Sequence, residues 1–162
     1  MTTQIKGNDT STFGGAITAN NVGAGNVLQV VNATYGTGVS TSTSTRADTG
    51  LTASITPSSS SNKILIFVNM AGCEAKTNAA AYLGFWLMRG VTDLIKFEGQ
   101  AGWTNTTTIN SVGACSTNYL DSPSSTSSVT YKIQFNCPGN VATASFNASS
   151  SVSTITLMEI AG

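Results

Sequence analysis

Residues 48–72 alternate between apolar and polar positions and then stop alternating. Leu51, Ala53 and Ile55 interleave with Thr52, Ser54 and Thr56, the period-two pattern of a strand with one dry face and one wet face. Pro57 and the serine run 58–61 interrupt it and read as a solvent-facing turn. The following segment is apolar on both faces, with Ile64, Ile66, Val68 and Met70 on one and Leu65 and Phe67 on the other. Such a strand is expected near the centre of a core, covered on its second face by another sheet or by a neighbouring subunit.

The same reading predicts strands over residues 27–35, 39–47, 51–56, 63–72, 80–89, 93–99, 111–120, 128–137, 141–148 and 152–160. They are short, evenly spaced and bounded by turn residues, which is the pattern of an all-β sandwich or barrel. About eight to ten strands in two antiparallel sheets predict a jelly-roll-like β-sandwich. No window of a dozen residues holds an unbroken i, i+3, i+4, i+7 pattern, so helix is expected to be scarce. Residues 80–89 are the second segment apolar on both faces. One face of Tyr82, Phe85, Trp86 and Met88 must meet the core, and the other predicts a covering sheet or a subunit contact. Ile155, Leu157, Met158 and Ile160 run almost to Gly162, so the chain is expected to end inside the sheet.

Residues 1–26 hold neither period and are punctuated by Gly7, Gly14, Gly15, Gly23 and Gly25. Two parts follow: an extended N-terminal arm over 1–26 and a sandwich head over 27–162. The arm cannot build a core of its own, but Ile5, Phe13 and Ile17 give it three spaced apolar anchors for docking on a partner.

Composition narrows the function. Charged residues are 9% of the 162, against roughly a quarter in an average soluble domain, and seven basic and seven acidic side chains cancel. The scattered charge leaves no footprint for nucleic acid or an anionic membrane. No apolar run reaches the roughly 18 to 20 residues of a membrane span, and the first 25 residues lack the layout of a secretory signal. Hydroxyl and amide side chains do the solvating, so the tracts at 40–45, 58–61, 122–128 and 149–154 read as wet faces and turns. The sequons at Asn8, Asn32, Asn105 and Asn147 are about what so Asn-, Ser- and Thr-rich a chain contains by chance.

The chain has no histidine, which removes the commonest general base and metal ligand. Cys73, Cys115 and Cys137 are odd in number, lack metal-site spacing and read as buried free thiols. Neither a metal nor a cofactor is implied, and the Gly14-Gly15 and Gly23-x-Gly25 pairs lack the strand-then-helix setting of a phosphate cradle. A carboxylate pair is the remaining catalytic arrangement, with Glu74, Asp93, Glu98, Asp121 and Glu159 as candidates. Asp93 and Glu98 are five apart and fall on opposite faces of one strand. Asp121 reads as the acceptor of a turn with Ser122 and Pro123, and Glu98 as a strand end paired with a nearby cation. The chain is therefore expected not to be an enzyme. Trp103 with Asn105 and Thr106 reads either as a glycan platform or as a Trp capping the core or a subunit boundary.

The opening MTTQIKGNDTSTFGG, then VLQVVNATY, DTGLTASITPSSSSNKILIFVNMAG, LIKFEGQAGWTN, YLDSPSSTSSVTYKIQF and STITLMEIAG resemble small virion proteins of tailed bacteriophages. The likeness is strongest to capsid-decorating and fibre-like proteins of phages from aquatic bacteria, including cyanobacteria. It implies a homotrimeric head on the virion surface, assembled in the host cytoplasm and docked by the arm on a major capsid protein or another virion protein. The short arm favours a capsid decoration (cement) protein or short head fibre. A tail-fibre or receptor-binding head that recognises host surface glycans is the alternative.

Overall fold

The computed structural model describes residues 24–76, 80–104, 106–107, 110–138 and 143–162. Ten strands follow in chain order: β1 (Val27–Tyr35), β2 (Val39–Thr41), β3 (Ala47–Ile55), β4 (Lys63–Lys76), β5 (Leu83–Arg89), β6 (Thr92–Ala101), β7 (Gly113–Asp121), β8 (Val129–Asn136), β9 (Thr143–Phe146) and β10 (Ser153–Ile160). A single 3-10 turn, Ala148–Ser150, is the only helical element among the described residues.

Hydrogen bonding orders the strands β1-β10-β4-β7 in one sheet and β3-β8-β5-β6 in the other, with every pairing antiparallel. The chain crosses between the sheets as it goes, and this order is a jelly roll: two Greek keys wrapped into a sandwich. The short strands β9 and β2 extend the first sheet beyond the far end of β4. Alternation of side chains does the layering. Ile64, Ile66, Val68, Met70, Ile155 and Leu157 project from the first sheet and meet Leu51, Ile55, Leu87, Tyr131, Ile133 and Phe135 from the second. An aromatic cluster closes one end: Phe85 stacks on Phe97 at 5.7 Å, and Phe135 meets Phe146 edge to face at 5.0 Å.

Most strand ends shift by one to three residues from the pattern of the sequence, and three boundaries differ for a reason that the partner strands supply. The strand expected over 39–47 is β2 alone, because the backbone bends after Thr41 and Thr43 lends its carbonyl to the N–H of Cys137 at 2.9 Å. The next strand begins at Ala47, not at 51, and runs through a bulge at Gly50, where φ is +91° and a Cβ would lie 2.6 Å from the ring of Tyr35. Gly72 reads as a strand end but is a second bulge (φ +55°); β4 continues past it because Glu74–Lys76 pair with β9. A glycine at positive φ inside a strand keeps the ladder going where any side chain would strain it.

Candidate functional site

The outer faces of the two sheets are chemically unlike. On β3-β8-β5-β6 the register lines up Asp48, Gln134, Trp86 and Lys96 in one row and Thr52, Lys132, Met88 and Asp93 in the next. Lys132 and Gln134 each donate to Asp48 at 2.8 Å, and Arg46 pairs with Asp93 at 2.9 Å. The hydrogen bond from Lys132, reinforced by Gln134, holds the Asp48 carboxyl below its ordinary range. Arg46 and Lys96 both lie over the Trp86 ring at 5.1 Å, close enough for cation–π attraction. This face is wet and ionic.

The outer face of β1-β10-β4-β7 carries a different set of rows. Val30, Met158, Leu65 and Leu120 form an apolar row that crosses all four strands. Beside it run Asn32, Thr156, Phe67 and Asn118, and then Thr34, Thr154, Asn69 and Ser116. These three rows hold no charged group; Lys63, opposite Ile160, stands at the rim. Val30 is 55% exposed, Leu120 49% and Phe67, in the next row, 43%, with Met158 and Leu65 half-buried between the row's ends, so the face lies open in the single chain. Phe67, Asn69, Ser116, Asn118, Thr154 and Thr156 line a shallow depression of about 370 Å³. Ser116 donates to Asn69 at 2.8 Å and Asn32 to Thr156 at 2.8 Å, which fixes part of its lining.

The structure separates the residues expected at a contact. Ile5, Phe13 and Ile17 lie outside the described residues. Phe85 is wholly buried in the aromatic cluster, Tyr82 is half-buried just before β5, and Trp86 and Met88 point to the ionic face. Among the described residues no second sheet covers that face; Arg46 and Lys96 overlie the tryptophan instead. Trp103 is half-exposed, and its backbone N–H donates to the Gln100 carbonyl at 2.9 Å; Asn105 lies outside the described residues. Among the described residues no second sheet covers Leu65 and Phe67 either; both point away from the sandwich.

The carboxylates weighed for catalysis are engaged in holding the fold. Asp121 is no turn former: it ends β7 and is buried, and both its oxygens accept from one Arg89 nitrogen at 2.9 Å while one also accepts from Tyr131 at 2.7 Å, tying the two sheets together. Burial, then that bond to Asp121, push the Tyr131 hydroxyl well above its ordinary pKa. Glu98 does not end its strand on a cation; β6 runs on to Ala101, and the carboxylate accepts the N–H groups of Gly99 and Gln100 at 2.7 and 2.8 Å. Glu74 accepts from Ser145 at 3.1 Å.

Glu159 is 1% exposed and sits at the centre of a clasp. It accepts from the Ser58 N–H (2.6 Å), the Ser58 hydroxyl (2.8 Å), Asn62 (2.5 Å) and Gln29 (2.5 Å). Burial pushes its pKa up, but these bonds outweigh it and hold the carboxyl below the ordinary range. The serine turn read as simply solvent-facing therefore grips the buried end of β10. Asn147 is likewise structural: it is buried, donates to the Tyr35 and Thr37 carbonyls at 2.8 and 3.1 Å, and accepts from Ser153 at 2.6 Å.

The chain matches no protein-family model and no curated protein. Among solved structures it is similar to the infectious bursal disease virus VP2 subviral particle, at 11% sequence identity and a TM-score of 0.39. That match covers 83% of this chain and 37% of the other, so the chain spans little more than a third of its length. The likeness is too distant to inform on function.

Proposed function

We propose that this chain is a structural protein of a virus particle that works by assembly. Three copies meet through the uncharged outer face of β1-β10-β4-β7, and the ionic face of the other sheet is turned to solvent. One observation carries the reading: an apolar row crosses a whole sheet, with Val30 and Leu120 exposed at its ends and Met158 and Leu65 half-buried between them, while Arg46, Asp48, Asp93, Lys96 and Lys132 gather on the opposite sheet. Covering Val30, Phe67 and Leu120 would release roughly 1 kcal/mol each. A face without charge has no like-charge repulsion to overcome against a copy of itself. On this reading the head decorates the capsid or forms a short head fibre on the virion surface, with Ile5, Phe13 and Ile17 of the arm docking it on a capsid protein.

Light scattering of the full chain tests the assembly. A mass of three chains is expected, falling to one in a Leu65→Lys, Leu120→Lys double variant that keeps its fold. A wild-type mass of one chain would refute it. Removing residues 1–25 should leave the oligomer intact and abolish its attachment to particles; retained attachment would count against the arm.

The depression around Phe67 favours a second reading, a receptor-binding head. An exposed ring among uncharged amides and hydroxyls suits the apolar face and hydroxyls of a neutral glycan. On this reading a Phe67→Ala variant loses cell binding and leaves the mass unchanged, and the platform is Phe67, not Trp103.

A further inference from the structure

Cys73 on β4 and Cys115 on β7 stand on neighbouring strands, and both face the sandwich core. The ladder sets Cys115 opposite Met70 and Gly113 opposite Cys73, with the Gly72 bulge between the two pairs. The bulge brings the Cys73 thiol back over this step, where it donates to the Met70 carbonyl at 3.4 Å. Met70 is the residue opposite Cys115, so this places the two thiols side by side, near enough for each to perturb the ionisation of the other. Neither is in a disulfide, and a third buried cysteine, Cys137, follows β8 in the facing sheet.

We propose that Cys73 and Cys115 are a redox modification site, at which hydrogen peroxide forms a disulfide joining β4 to β7. The pair is unequal. The neighbouring Cys73 thiol holds the Cys115 thiol below its ordinary pKa, whereas the Cys115 thiol and burial push Cys73 up. Cys115 is also the more accessible: it keeps 7% exposure, Cys73 keeps none, and β7 is an edge strand whose neighbouring Gly113 and Ala114 are exposed. Edge strands open locally at lower free energy than central ones.

The Cys115 thiolate attacks one peroxide oxygen; an S–O bond forms, the O–O bond breaks, and the departing hydroxide takes up the proton released when Cys115 ionised. The Cys73 sulfur then attacks the Cys115 sulfur; the S–S bond forms, the S–O bond breaks, and the Cys73 proton leaves with the hydroxyl as water. Two electrons pass from the two sulfurs to peroxide, which ends as two waters. A particle that assembles among reduced thiols and then works outside the cell would fold unstapled and gain the bond afterwards. That consequence rests on the virion reading; the thiol chemistry does not.

The test treats the full chain with hydrogen peroxide, alkylates the remaining thiols and maps peptides without reductant. A Cys73 to Cys115 peptide pair is expected with Cys137 alkylated, together with a rise in thermal midpoint on the order of 5–15 °C that reductant reverses. Cys73→Ser should stop at a Cys115 sulfenic acid that dimedone traps, and Cys115→Ser should leave Cys73 unoxidised. Two alkylatable thiols at 73 and 115 after peroxide, or a bond to Cys137, would overturn the proposal, and so would dimedone labelling of Cys73 in the Cys115→Ser variant.

Discussion

Replacing Glu159 by Gln keeps the shape of the side chain and removes its charge, in a site where all four neighbouring groups donate. The new amide has one oxygen and one NH2. With the oxygen toward Ser58 and Asn62, the NH2 meets the Gln29 NH2; turning Gln29 to present its own oxygen would break the bond it donates to the Thr56 carbonyl at 2.8 Å. One hydrogen bond to a charged acceptor is lost outright, worth about 1.5–3 kcal/mol, and the three that remain weaken. The expected cost is about 2–4 kcal/mol at pH 7, or a fall of roughly 5–15 °C in thermal midpoint. Urea unfolding followed by tryptophan fluorescence reads it as a lower midpoint at unchanged slope.

The pH dependence checks the cause. The folded carboxyl lies below the ordinary Glu value of 4.5, so its stabilisation is present above that value and is lost as pH falls through the folded pKa. Wild type and Glu159→Gln should therefore converge in acid, where the wild-type group is protonated too. A difference under about 0.5 kcal/mol at pH 7, or one of the same size at pH 7 and in acid, would refute the clasp as a charge-dependent anchor.

Other outcomes follow from neighbouring features. Tyr131→Phe removes one of the donors that face the buried Asp121 and should cost about 1–2 kcal/mol in urea unfolding, with Arg89 keeping the carboxylate paired. Gly50→Ala puts a Cβ 2.6 Å from the Tyr35 ring at a φ of +91° and should cost about 1–3 kcal/mol, seen as a lower thermal midpoint. Trp86→Ser, on the ionic face, should leave the light-scattering mass unchanged, whereas Leu65→Lys should lower it; the reverse order would move the contact to the wrong sheet.

Much of the framework was legible because strand alternation is local. Residues 27–35 and the start of β4 at Lys63 stand where the periodicity put them, and the cysteines are buried thiols outside any disulfide, as their surroundings implied. Glycine misled at positions 50 and 72, since the same residue serves a turn or a bulge and only the partner strand decides which. The roles of Asp121 and Glu159 were hidden for another reason: their partners are up to 130 residues away in sequence, and no local pattern announces a clasp.

By itself the amino-acid sequence determined an all-β chain whose strands each have a core side, without histidine and with little charge. It also marked two strands, β4 and β5, as apolar on both sides. Only the tertiary structure decided what those second sides mean, because alternation divides a strand into two faces but says nothing of the strands beside it. For β5 the register brought Lys96, Lys132 and Asp93 alongside Trp86 and Met88, and the face became ionic. For β4 it brought Val30, Met158 and Leu120 into line with Leu65, and four scattered apolar residues became one continuous surface.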